Sequence, residues 1–308
     1  MKEKLTGAAV AAAMLSLCFS GGAAIEAARA ALRVCAATIL PSLFPFFVLS
    51  ILLSRLGVPR QIGQRLAPLA GRFFGVSGAG LTALPVGLLG GYPMGAACVA
   101  ELLTQREIDR DEAERLLLFV NNSGPAFLIG AVGIGVFGST KAGFLLYGAH
   151  AAAAILTGLL FSRFREAVVP GPMRPGEPFA AAFPAAVRQA VGAVLTVCGF
   201  AVCFSVLLGL LENWGLFSLL GISTPERRVL VSGLFEIGSA VGAMRGLTPS
   251  PTHLALAAGV LGWGGLSVHC QTAALFADCD LSLRRHSLGR LCSALFSALI
   301  AGAFAPLL

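Results

Sequence analysis

Residues 87–102 read GLLGGYPMGAACVAEL, and this stretch decides the fold. It sits inside an apolar run from 78 to 103, yet its centre is Gly90-Gly91-Tyr92-Pro93. A helix does not pass easily through two glycines and a proline. Glycine has no fixed backbone preference, and proline removes a donor and crowds the preceding turn. In lipid, broken backbone is tolerated only where it is buried in protein or lines a cavity. The run therefore predicts two half-helices, of which a re-entrant hairpin is one arrangement.

The rest of the chain supports lipid as the solvent. Of its 308 residues, 56% are hydrophobic and 12% charged, and the mean hydropathy is +0.85. An ordinary soluble domain is about 45–50% apolar and about 25% charged. A soluble fold of this size could not hide so much apolar surface, which argues against a cytosolic enzyme, a secreted disulfide scaffold and a disordered chain. There is room for roughly seven to ten passes or half-passes at about 20 residues each. With 21 Phe, 2 Trp and 2 Tyr and no long alternating stretches, an outer-membrane barrel is disfavoured. The expected fold class is all-α, a polytopic helical membrane protein, and 38 glycines suit close helix packing. The net charge of +7 does not imply a nucleic-acid partner, because the arginines sit in short loops, as the positive-inside rule expects. None of the eight cysteines forms a CxxC pair. They read as small buried apolar residues, with no metal-ligand spacing and no cofactor.

Residues 1–26 hold a basic start (Lys2, Lys4) and an apolar stretch from Leu5 to Ser20. A retained span or signal anchor is favoured over a cleaved signal peptide. A first repeat is expected over 27–161. It contains a span at 27–53 kinked by Pro41 and Pro45, the broken segment at 78–103, a broken span to Gly138 and a plain span at 142–161. Arg55, Arg60, Arg65 and Arg72 mark a cytoplasmic loop. In the polar loop 104–115, Asp109 is placed to cap the next helix, with Glu112 three residues on. Residues 162–183, with four Pro, two Gly, three Arg and two Glu, form a polar linker. A second repeat over 184–308 follows the same order: a long span at 184–211, a short apolar stretch Val229–Ala243, a span at 253–276 broken at Gly262-Trp263-Gly264-Gly265, and a last span at 287–308. Loop charge runs the span at 27–53 inward and that at 184–211 outward, so the two repeats are expected to be inverted. Paired broken segments in inverted halves are the pattern of a secondary transporter that binds substrate near the membrane middle.

Few residues here carry chemistry. Glu236, in Gly233–Ala240, lies far from any loop charge, and an intramembrane carboxylate costs at least about 2.5 kcal/mol on insertion scales. It is either functional or a structural hydrogen-bonding group. Asn121, Asn122 and Ser123 precede the Gly124-Pro125 break, where freed amides and the half-helix start are suited to an anion; a capped kink is the alternative. Gly91, Tyr92 and Pro93 supply a matching break, with Tyr92 able to stack on a flat ring; a simple kink accounts for them equally well. Ser267, His269 and Gln271 alternate after Gly264-Gly265, and His269 is a candidate proton carrier. His150 lacks polar neighbours in sequence and is set aside. No catalytic residue is expected, since GxSxG, HExxH and Walker A are all missing. A coupling proton or sodium ion is the only ion a transporter reading calls for.

LPSLFPFFVLSILL (40–53), GLLGGYPMGAACVAEL (87–102), EAERLLLFVNNSGPAFLIGAVGIGVFG (112–138), GLFEIGSAV (233–241) and LGWGGLSVHCQ (261–271) together resemble the YlbJ/SpoVV family of sporulation integral membrane proteins. That family is grouped with nucleoside-recognition "gate" domain proteins and is similar to concentrative nucleoside transporters. The resemblance covers about residues 27–300. It implies transport of dipicolinic acid into the developing spore, in the cell membrane or outer forespore membrane of a spore-forming bacterium. It places the substrate site at Gly91, Tyr92, Pro93, Asn121, Asn122, Ser123, Glu236, His269 and Gln271, with Ser267 added from its spacing. A nucleoside or nucleobase transporter and a non-transporting scaffold for spore-envelope assembly are the alternatives. The expected partners are the bilayer, a small-molecule substrate and, where it assembles, a second copy of the chain.

Overall fold

The computed structural model describes residues 2–162, 176–277, 279 and 281–308, and all regular structure among them is helical. The expected linker falls mostly on 163–175, outside the described residues. Among the described residues four helices are long and apolar enough to cross a membrane: Thr140–Leu160, Phe179–Asn213, Pro251–Leu275 and Arg284–Leu307. Two bent pairs reach that measure only together. They are Val10–Phe19 with Gly21–Ile39, bent by 98°, and Arg65–Phe74 with Gly78–Gly90, bent by 87°. The apolar stretch at 5–20 is therefore not a straight span of its own. At about 1.5 Å per residue it measures about 24 Å, short of a hydrocarbon core of about 30 Å.

Two long rods run side by side. The first comprises α2 (Gly21–Val34), a wide turn at Cys35–Ile39 and α3 (Leu40–Arg55); α1 is Lys2–Phe19. The wide turn leads directly into Pro41, where the missing N–H would otherwise interrupt the ladder. The second rod is α10 (Phe179–Asn213), 35 residues long. They pack antiparallel: Asn213 donates to Ser20 Oγ at 3.2 Å, while Arg55 at the other end meets Glu177 at 2.9 Å and Gln189 at 3.3 Å.

The arginine-bearing loop forms α4 (Val58–Leu69), followed by the short α5 (Gly78–Leu81). The stretch at 87–102 is a helical hairpin, with α6 (Ala83–Gly90) and α7 (Met94–Thr104) on either side of Gly91-Tyr92-Pro93. Its two arms meet at Gly87 and Gly95, and both glycines rest on the carbonyl of Val120; a Cβ on either would collide with that oxygen. Such approach is what small residues permit between helices in lipid. Asp109 caps α8 (Arg110–Leu116) by accepting from Glu112 N at 2.7 Å, as expected. A non-helical stretch at 121–124 then leads into a wide helical segment, Ala126–Ile134, and α9 (Thr140–Leu160).

After α10 and the short α11 (Leu216–Leu219) come α12 (Pro225–Phe235) and α13 (Ile237–Ala243), joined by Glu236 in extended conformation. Helices α14 (Pro251–Trp263) and α15 (Gly265–Leu275) form one apolar span interrupted at Gly264, where φ is +84°. The last helix, α16 (Arg284–Phe304), is built inside out. His286, Arg290, Ser293, Ser297 and Ala301, three or four residues apart, face the interior, whereas Leu288, Leu291, Leu295 and Leu299 are exposed. Lipid accepts the leucines as readily as a core would, so the buried stripe is free to be polar.

All eight cysteines are free. Cys35 and Cys98 are buried as expected, but Cys18 and Cys203 lie on outward faces of apolar helices. In lipid a thiol gains nothing by facing inward.

Candidate functional site

Each broken segment meets the broken span that follows it, backbone against backbone. In the first half Gly91, at φ +82°, lies against Gly124, so closely that a Cβ on it would stand 3.0 Å from the Gly124 nitrogen. In the second half a Cβ on Gly265 would stand 2.9 Å from the Phe235 carbonyl oxygen and 3.1 Å from Glu236 N. The four interruptions thus converge in the interior of the bundle.

Between them lies a cavity of about 40 Å³. Its polar wall is Tyr92, Ser123, Glu236 and Gln271, one residue from each broken stretch. The volume holds a few waters but no aromatic ring. A cavity of about 420 Å³, bordered by Glu212, Arg228 and Ser239, reaches the same point, sharing Ile39, Ala201, Glu236 and Gly238 with the small one. Another, of about 890 Å³, touches it at Phe127 and Gly238.

Glu236 is 3% exposed. Its carboxylate caps α13, accepting from Gly238 N at 2.8 Å and from Ser239 N. One carboxylate thus satisfies two orphan amides and also faces the cavity. Gln271 spends its amide nitrogen on Ser267 Oγ at 3.1 Å, while its Oε1 has no protein partner. Tyr92 donates to the Leu261 carbonyl at 3.2 Å, tying the first break to the second broken span.

Other expected site residues stand behind this wall. Gly91 and Pro93 shape the backbone beside Tyr92 and do not line the cavity. Asn121 and Asn122 do not face it either. Asn121 donates to Thr272 Oγ1 at 2.9 Å and lies 3.4 Å from His286 Nε2, and Asn122 donates to the Phe119 carbonyl at 2.7 Å. Both amides are fully buried, and of the three polar residues only Ser123 lines the cavity. The alternation of Ser267, His269 and Gln271 also divides. On a helix, residues four apart share a face and residues two apart do not. Ser267 pairs with Gln271, while His269 stacks on Trp263 (4.3 Å between centroids) and edges onto His286 (5.0 Å).

Behind the wall is a polar network that sequence reading missed. Arg290 is fully buried, donating to Tyr92 Oη at 2.9 Å, Ser293 Oγ at 3.1 Å, Asn122 Oδ1 at 3.4 Å and the Gly262 carbonyl at 3.5 Å. His150 accepts from Ser123 N at 3.0 Å, and His286 contacts Thr272 at 3.3 Å. The lack of polar neighbours around His150 in sequence was no guide, because its partner lies 27 residues away on another element. Arg290 hid among the loop arginines 284 and 285, although the spacing 286, 290, 293, 297 already marks one face of a helix. Among the described residues no group of three His, Cys, Asp or Glu side chains comes together to hold a metal ion.

No protein-family model matches the chain, and no solved structure matches it. A curated relative does: the sporulation integral membrane protein YlbJ of Bacillus subtilis (strain 168) is 30% identical over 310 aligned positions, covering 90% of this chain and 76% of the relative. Identity at that level across most of both chains, together with the apolar helices, makes this an integral membrane protein of a spore-former. The protein belongs to the family of the sporulation integral membrane protein YlbJ.

Proposed function

We propose that the protein is a secondary transporter of a small organic anion, with dipicolinic acid moving into the developing spore as the transported species. One observation carries this reading: Tyr92, Ser123, Glu236 and Gln271, from four separate broken stretches, line a single cavity inside the bundle. Broken helices at membrane depth that meet around polar side chains are the usual construction of a transporter site. The antiparallel rods and the matching Gly91–Gly124 and Gly265–Phe235 contacts support two inverted repeats that rock against each other. At about 40 Å³ the cavity is too small for an aromatic ring, and that motion would widen it toward one of the flanking cavities.

The chemistry suits a flat dianion. Tyr92 offers a ring face, and Ser123 and Gln271 offer polar contacts. Glu236 stands on the same wall, and like charges in a low-dielectric space repel. A proton bound by Glu236 together with the substrate removes that repulsion, so entry of the dianion and of a proton are coupled.

The test is uptake of labelled dipicolinate into proteoliposomes under an imposed proton gradient, with uridine as competitor. Wild-type uptake that Glu236→Gln abolishes and uridine does not inhibit is the expected result. Uptake of uridine in place of dipicolinate, or no uptake of either by folded protein, overturns it.

A further inference from the structure

We propose that Arg290 is the residue that makes the site select an anion over a neutral molecule of the same shape; this rests on the transporter reading above. The guanidinium is fully buried, and among the described residues it has no carboxylate partner. Its four hydrogen bonds go to a phenol, a hydroxyl, an amide oxygen and a backbone carbonyl, and its Nε–H has no partner among the described residues. The imidazoles of His150, His269 and His286 lie within its electrostatic reach, and none of them can supply a negative charge. A buried cation surrounded only by neutral dipoles recovers its desolvation penalty in part, and a counter-ion recovers the remainder. Arginine cannot escape by losing its proton.

The central cavity offers the counter-ion a place. Arg290 holds the phenolic oxygen of Tyr92 at 2.9 Å, and Tyr92 lines the central cavity. A carboxylate bound against Tyr92 sits one side chain from the guanidinium, in an interior where charge acts beyond contact. The cation lies behind Tyr92, while Glu236 stands on the cavity wall. A flat molecule with carboxylate groups fits this polarity with its anionic end toward Tyr92. Arg290 is thus a positioning residue that acts through the phenol, and its signature is charge selectivity.

The experiment measures binding of pyridine-2,6-dicarboxylate and of its neutral diamide to detergent-purified protein, with uridine as a third probe and a thermal melt for each variant. Arg290→Gln is expected to weaken dicarboxylate binding roughly 10- to 100-fold, as loss of one nearby charge in a low-dielectric interior implies, with diamide binding changed less than about threefold. Arg290→Lys, which keeps the charge but loses the fork, is expected to fall between, and it carries the test if Arg290→Gln does not fold. Equal weakening of both probes, or unchanged dicarboxylate binding in these variants, overturns the role of Arg290 and leaves the transporter reading standing. A wild type that binds uridine and not the dicarboxylate, or none of the probes, removes the anion reading and this proposal with it.

Discussion

The backbone N–H of Ser123 donates to Nε2 of His150 at 3.0 Å. Nε2 must therefore carry a lone pair, and the neutral ring holds its proton on Nδ1. This bond satisfies an amide that the break at Gly124-Pro125 takes out of the helical ladder, and it holds the non-helical stretch that presents Ser123 to the cavity.

His150→Ala leaves that buried N–H unpaired, at a cost of about 1–3 kcal/mol. His150→Gln, whose side-chain oxygen can accept, should recover part of the loss. Melts followed with a thiol-reactive dye would read this as the rise that Cys35 and Cys98 add on unfolding to the signal of the exposed Cys18 and Cys203. An alanine variant that melts with the wild type would refute the role.

The Gly87 and Gly95 contacts with Val120 make a different prediction. Alanine at either position overpacks against backbone that has no rotamer to yield, at about 1–3 kcal/mol. Gly192→Ala is the control, because nothing lies within 4 Å of its Cβ position. Loss of stability in the first two variants alone is expected; equal effects in all three would contradict the close packing.

Glu236 combines capping with the proposed proton binding, and two substitutions separate these roles. Glu236→Gln keeps one oxygen to accept from Gly238 or Ser239 and leaves the other amide without its acceptor, so the protein should stay folded with part of the cap while losing proton-driven uptake. Glu236→Ala removes the cap as well and should cost about 1 kcal/mol more. Retained uptake in Glu236→Gln would leave capping as its only role.

At the polar end of the molecule, Asp111 ties α8 to α16 through Arg285 at 2.8 Å and pairs with Arg115 at 3.1 Å. The Arg285 hydrogen bond, with Arg115 adding to it, holds the Asp111 carboxyl below the usual carboxylate range. A depressed value contributes stability above the unfolded pKa, near 3.8, and that stability is lost as pH falls through the lower folded value. Asp111→Asn should therefore be less stable than wild type at pH 7, by about 0.2–1 kcal/mol for so exposed a pair. The difference should close below about pH 4 and shrink with added salt. A gap that persists in acid would assign the loss to something other than charge.

Composition and local pattern alone determined that the chain lives in lipid, that its helices break at 91–93, 121–125 and 264–265, and that Asp109 caps α8. These are local matters: apolar content sets the solvent, and glycine, proline and a capping side chain act within one turn of themselves. Which polar residues face one another was decided only by tertiary structure. Asn121 and Ser123 are two residues apart and face different surroundings. Ser267 and His269 separate because a helix turns them to different faces. Tyr92, Ser123, Glu236 and Gln271 share a cavity although 179 positions separate the first from the last. The physical reason is that lipid imposes no inward pull on apolar side chains. Packing of small residues brings the helices together, and each buried polar group then takes whatever partner that packing delivers, as Arg290 does with Tyr92.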